Sequence, residues 1–208
     1  MTDIRIHHIE ARSYVDGPGE RAVLFVQGCN LACPGCQSKH TWDLQGGTLA
    51  DVRDVAQALL LLSRWGQITL SGGEIMLQPQ AIAELIALLR AKSIRHIIAY
   101  TGFTWDQLHD PAHPAYPYLD RILCGLDVLV DGPFVRELDD DLICFRGSRN
   151  QRVIDIPASL QTGEPVLLDW DRTFQLSDLG DLILPIGLAD TFNGLGATTK
   201  SRRCGQSR

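Results

Sequence analysis

Five short runs recur along the chain: AVLFVQ (22–27), QITLS (67–71), RHIIAYT (95–101), LDVLVDG (126–132) and QRVIDI (151–156). Each is rich in Val, Ile or Leu and bounded by Gly, Pro or Asp, as β-strands are. The segments between them carry a helical period instead. Leu49, Val52, Val55, Ala56, Leu59 and Leu60 fall three and four apart, with Thr48 and Asp51 resembling a capping signal. Pro79 suits a first helical turn, and Ile82, Leu85, Ile86 and Leu89 give a second inward stripe. A third, weaker helix is predicted from Thr104, with Gln107 three residues on. Strands alternating with helices form successive βα units, so the chain is predicted to be α/β with a mostly parallel sheet.

Ligands of such sheets gather at the carboxyl ends of the strands. Four polar segments are predicted to share that rim. GCNLACPGCQ follows the first strand, SGGE the second, TGF the third and DGP the fourth.

Within the first of these, Cys29, Cys33 and Cys36 have the spacing Cys-x3-Cys-x2-Cys. Three thiolates converging on one metal centre leave a position without a cysteine. A [4Fe-4S] cluster normally takes four, so one iron would stay open, which is how a metal site keeps room for a substrate or cofactor. A structural zinc with Cys3His ligation is the competing reading, because His40 follows Cys36 at a four-residue offset. Disulfides and simple burial are two more.

The second segment holds Ser71, Gly72, Gly73 and Glu74. Glycines at a strand end let backbone approach a ligand closely, and a neighbouring carboxylate can bind an ammonium. SGGE alone is an ordinary strand-to-helix turn. One βα unit after three cysteines, it fits a cofactor with an amino acid group and a metal-chelating end, and a zinc module has no use for it.

The chain has 208 residues, 45% of them hydrophobic, enough for one well-buried domain. A net charge of -6 argues against direct nucleic-acid binding. No apolar run reaches the length of a membrane span; ALLLLSRW is interrupted by Arg64. MTDIRIHHIEARS lacks an apolar signal region, so a reducing, cytoplasmic location is expected.

With DGPGER (16–21) included, the stretch DGPGERAVLFVQGCNLACPGCQSKHTWD, taken with ITLSGGE, resembles the radical S-adenosylmethionine (SAM) superfamily and, within it, the activating enzymes of glycyl radical enzymes. DVLVDGPFVRELDDDLICFRGSRNQRVID resembles more narrowly the activating proteins of anaerobic ribonucleotide reductase. The resemblance spans about residues 14–156 and implies a partial (β/α)6-type TIM barrel open on one side. A closed barrel needs about 250 residues.

By this resemblance Cys29, Cys33 and Cys36 ligate a [4Fe-4S] cluster, and the amino and carboxylate groups of SAM chelate the fourth iron. Gly35, Cys36 and Gln37 lie where the family's backbone meets the adenine end of SAM. Many members carry an aromatic where Gly35 stands, so adenine stacking must come from elsewhere. Gly72, Gly73 and Glu74 match the element that holds the methionyl ammonium, and Thr101 and Asp131 lie where related activases hold a monovalent cation. The implied reaction is reductive cleavage of SAM to a 5'-deoxyadenosyl radical that abstracts a glycine hydrogen on a partner, with no catalytic side chain beyond the cluster and SAM. The implied partners are a glycyl radical enzyme, anaerobic ribonucleotide reductase in the narrower resemblance, and an electron donor such as flavodoxin or ferredoxin. Two alternatives remain: a small-molecule radical SAM enzyme of the 7-carboxy-7-deazaguanine synthase kind, and a noncatalytic zinc or iron–sulfur module.

Residues 1–189 are read as one domain with a C-terminal extension from 157, and 190–208 as a flexible tail in which Cys204 is an incidental thiol. FRGSRNQR (145–152) reads equally as a solvated hairpin or a partner-binding segment. Trp42 and Trp105 are read as packing residues, and His7, His8, His96, His109 and His113 show no metal-ligand spacing.

Overall fold

The computed structural model describes residues 2–170 apart from 93 and 141, and the backbone of 175–179 and 182–186. Two compact units divide the chain at Leu168 and Asp169. In the first, strands β1 (Asp3–Ser13), β2 (Arg21–Val26), β3 (Thr48–Asp51), β4 (Gln67–Gly72), β5 (His96–Tyr100), β6 (Val128–Asp131), β7 (Arg152–Asp155) and β8 (Val166–Leu167) form one sheet in the order β3-β1-β2-β4-β5-β6-β7-β8. The second contains an antiparallel pair, β9 (Gln175–Leu179) and β10 (Leu182–Ile186). The expected flexible tail, 190–208, lies outside the described residues.

The sheet is mixed, not mostly parallel as expected. Only β2-β4, β4-β5 and β5-β6 pair in parallel; β3-β1, β1-β2, β6-β7 and β7-β8 are antiparallel. Each parallel step has helix in its connection: α1 (Val52–Leu62), α2 (Pro79–Ala91), and α3 (Trp105–Leu108) with α4 (Tyr116–Leu123). Between β6 and β7 the described chain forms only a single 3-10 turn, Arg136–Leu138. Without a crossover helix, β7 returns antiparallel.

Local chemistry explains the helix ends. The predicted stripe of α2 is confirmed, with Ile82, Leu85, Ile86 and Leu89 all buried and Pro79 in its first turn. Thr104 and Gln107 make a reciprocal capping box on the one-turn α3. Helix α1 begins later than its pattern suggests. Thr48–Asp51 pairs with β1 as a strand, and Asp51 caps the helix by accepting the Arg53 N–H at 2.8 Å. Leu49 therefore lies outside the helix and is exposed. A short helix α5 (Ile156–Thr162) follows β7 and ends at Gly163, whose φ of 81° stops it in the left-handed region.

The turn DGPGER has a structural task. Arg21 is fully buried, and its guanidinium donates to Thr69 Oγ1 at 2.7 Å, Gln67 Oε1 at 3.1 Å and the carbonyls of Ile68 and Pro18 at 2.6 and 3.2 Å. Thr69 in turn donates to the Asp16 carbonyl. The turn is folded around its own arginine and sewn to β4, which fixes the start of β2 and hence the register of the cysteine loop at its far end.

Candidate active-site cleft

The carboxyl ends of β2, β4, β5 and β6 open into one cleft. It has about 540 Å³ of empty space counting its open mouth. The cysteine loop contributes Cys29, Cys33 and Cys36, the turn after β4 Gly72, Gly73 and Glu74, and the β5 end Thr101. Segments far apart in the sequence thus meet on one rim.

Glycines set the closeness of that meeting. A Cβ on Gly73 would stand 2.4 Å from the Gly28 carbonyl oxygen, and one on Gly72 2.6 Å from the Val26 nitrogen. Their N–H neighbours are engaged as well: Gly73 N–H donates to Val26 O and Glu74 N–H to Gly28 O, both at 2.8 Å. The pair therefore lets SGGE seat directly against the base of the cysteine loop. From the β5 side Gly102 does the same, since a Cβ there would meet Leu31 Cδ1 at 2.2 Å. On the loop itself Ala32 adopts a left-handed φ of 49°, which bends the chain between Cys29 and Cys33.

Glu74 is buried at the centre. Oε1 accepts from Met76 N–H at 2.9 Å and Thr101 Oγ1 at 2.7 Å, and Oε2 accepts from Gly102 N–H at 2.8 Å. Burial pushes its carboxyl above the ordinary value, while these three donors pull the other way. Burial also raises the Cys29 thiol, against backbone N–H groups of Leu31 and Ala32 that favour its thiolate.

Cys29, Cys33 and Cys36 share the cleft. All three are free thiols. Yet no three His, Cys, Asp or Glu side chains among the described residues close on a point that could hold a metal ion, as zinc ligands about 2.3 Å from one metal would. A cluster binds each cysteine through a different iron and needs no such convergence. His40 is not part of the lining; it is exposed, packs its ring 4.6 Å from that of His7, and gives its carbonyl to Gln27.

Three predicted positions stand apart from the lining. Gly35, with φ 84°, lies beside Phe134 and Arg136, and Gln37 is exposed. Asp131 is fully buried, with Oδ1 accepting from Arg152 Nε at 3.0 Å and Oδ2 from Arg152 Nη2 at 2.5 Å and Trp105 N–H at 2.6 Å. Both its oxygens face protein donors. Sequence reasoning did not single out Tyr100, Phe134 and Gln151, which line the cleft, and it placed Trp42, also lining, in the packing. For Phe134 and Gln151 the signal was the DGPF and FRGSRNQR segments, whose fold only the tertiary structure reveals.

Comparison with known proteins gives the family. Residues 15–154 match the family model of the 4Fe-4S single cluster domain. The anaerobic ribonucleoside-triphosphate reductase-activating protein of Salmonella typhi is 34% identical over 164 residues, covering 72% of this chain and 97% of that protein. This chain belongs to the radical SAM glycyl radical activases. The corresponding protein of Escherichia coli K12 is 35% identical over 67% of the chain and 90% of its own length. Pyruvate formate-lyase-activating enzyme of Clostridium pasteurianum is 34% identical over 66% of the chain, which spans only about half, 54%, of that enzyme. A crystal structure of QueE from Escherichia coli overlaps 49% of this chain and 54% of that chain, with 18% identity and a TM-score of 0.39, too loose a likeness to bear on the fold. As an activase of this family, the chain takes a [4Fe-4S] cluster and SAM as cofactors.

Proposed function

We propose that this activase generates a glycyl radical on an anaerobic ribonucleotide reductase, taking its electron from a flavodoxin or ferredoxin in a reducing cytoplasm. The observation that carries the reading is the cleft in which three free thiols meet SGGE and the buried Glu74. Coverage of 97% of an activating protein of that reductase supports the partner. When bound, the cluster and SAM supply a 5'-deoxyadenosyl radical able to remove a glycine hydrogen.

The chain's own residues hold and orient. Cys29, Cys33 and Cys36 ligate the cluster. Glu74, fixed by three donors, presents negative charge to the methionyl ammonium, and the Gly72–Gly73 turn that carries it is fastened to the base of the cysteine loop. Thr101 acts through Glu74 by donating to it. Three parallel pairings with intervening helices support a partial barrel, open where the partner's glycine loop would enter.

The test is label transfer. Reductase labelled with deuterium at glycine, incubated anaerobically with the reduced activase and SAM, is expected to pass deuterium into 5'-deoxyadenosine. Deuterium arriving from a small molecule instead removes the protein substrate from the proposal.

A further inference from the structure

The sulfurs of an iron–sulfur cluster accept hydrogen bonds, and those bonds help to set its reduction potential. Most donors around this cleft already have another acceptor. On the cysteine loop the Gly28 and Cys29 N–H groups go to the carbonyls of Thr41 and Trp42, and that of Cys36 goes to Cys33 O. The N–H groups of Leu31 and Ala32 face the Cys29 thiol itself. Among the side chains of the lining, Tyr100 donates to Phe145 O at 2.6 Å, Thr101 to Glu74 Oε1 at 2.7 Å and Gln151 to Gly132 O at 3.0 Å. Two side-chain donors of the lining, Trp42 and Ser71, give their hydrogen to nothing among the described residues. Ser71 belongs to β4, beside the glycine turn. Trp42 closes the cysteine loop.

That closure is fixed at every step. The Trp42 carbonyl accepts the Cys29 N–H at 3.2 Å, and its own N–H donates to Lys39 O at 3.2 Å. On one side Thr41, fully buried, donates through its hydroxyl to Ser38 O at 2.7 Å; on the other Gln27 Nε2 donates to Asp43 O at 2.8 Å. The exposed Lys39 sets its ammonium 5.9 Å from the centroid of the Trp42 ring. An indole N–H can only donate. A half-buried indole pinned to the first cysteine therefore brings an uncommitted donor to the wall that the three thiols share.

We propose that the Trp42 indole N–H donates to a sulfur of the cluster and raises its reduction potential, which makes Trp42 a tuning residue for the electron that starts the reaction. This rests on the reading of Cys29, Cys33 and Cys36 as cluster ligands. The sign follows from charge. Reduction adds one electron to a centre already ligated by thiolates, and a hydrogen bond strengthens as its acceptor becomes more negative. The donor thus favours the reduced state, and its removal lowers the potential.

The experiment has two readouts on anaerobically reconstituted protein. In a redox titration followed by electron paramagnetic resonance, Trp42→Phe, which keeps an aromatic ring and removes the N–H, is expected to disfavour reduction about tenfold, about 59 mV for a one-electron couple, with iron content at the native level. Lys39→Met, which removes the ammonium and keeps the stem, is expected to stay near the native potential. In native protein carrying a heavy-nitrogen label on the tryptophan indole, the reduced cluster is expected to show a weak coupling to that nitrogen by electron–nuclear double resonance. This readout decides even where Trp42→Phe loads no cluster. An unchanged potential in loaded Trp42→Phe overturns the proposal, as does native protein without the indole coupling. A fall in Lys39→Met as large as in Trp42→Phe assigns the effect to the ammonium and also overturns it. Native protein that takes up no iron refutes the cluster reading, and the donor with it; native protein that loads iron but fails these tests refutes the donor alone.

Discussion

The Thr101 hydroxyl donates to Glu74 Oε1 at 2.7 Å, tying the strand end of β5 to the turn after β4 inside the cleft. Glu74 accepts two further backbone N–H groups, so it both braces the rim and offers charge to a ligand. Glu74→Gln replaces one acceptor oxygen by a donor that must face an N–H or the Thr101 hydroxyl. Stability is expected to fall by about 1–3 kcal/mol in urea unfolding. Binding of methionine is expected to weaken more than iron content. Unaltered methionine affinity would remove Glu74 from the ammonium site.

Cluster ligation is expected to distribute over three cysteines and not to involve His40. After anaerobic reconstitution the native chain is expected to hold about four irons. Alanine at Cys29, Cys33 or Cys36 should each bring iron and the cluster's visible absorbance far below that value, whereas His40→Ala should leave both intact. Stoichiometric zinc in native protein, lost in His40→Ala, would restore the Cys3His reading.

The parallel centre of the sheet was legible because β2, β4, β5 and β6 are short, almost wholly buried runs whose composition alone marks them. Strand β1 escaped notice for a physical reason: register shifts between Ile6 and His8 and between Glu10 and Ser13 break its period of two, and most of its residues are polar. Leu49 fell on a helical stripe by spacing, yet pairing of Thr48–Asp51 with β1 overrode it. In the site, Cys29, Cys33, Cys36 and SGGE were readable because their chemistry lies in contiguous motifs. Phe134 and Gln151 were not, since their place depends on a bracket of side-chain to backbone bonds that no local pattern encodes.

Arg152 and Asp131 form a second brace at the carboxyl end of β6. Asp131 has no exposure, so removing its partner leaves a buried charge held by the Trp105 N–H. Arg152→Ala is expected to destabilise the fold by about 3 kcal/mol, measured by urea unfolding at neutral pH. Asp131→Asn with Arg152→Ala together should recover part of the loss, because the uncompensated charge is gone. A loss under about 0.5 kcal/mol for the single variant would show the pair to be a weak surface bridge.

His96 gives the fold an acid limit. Burial and then the Arg21 guanidinium, 3.2 Å from Nδ1, push its pKa down to about 4, against about 6.5 in an unfolded chain. Between those two values the unfolded chain binds a proton that the folded protein does not, so stability rises with pH across this window and falls on acidification. The size follows from about 2.5 units at 1.36 kcal/mol each, about 3 kcal/mol, fully present above pH 6.5 and levelling off below 4. Urea midpoints measured from pH 7.5 to 4 are expected to trace that fall. In His96→Gln, whose amide oxygen can still accept from Arg21, the slope contributed by this residue should vanish; an unchanged slope would assign the acid limit to other groups.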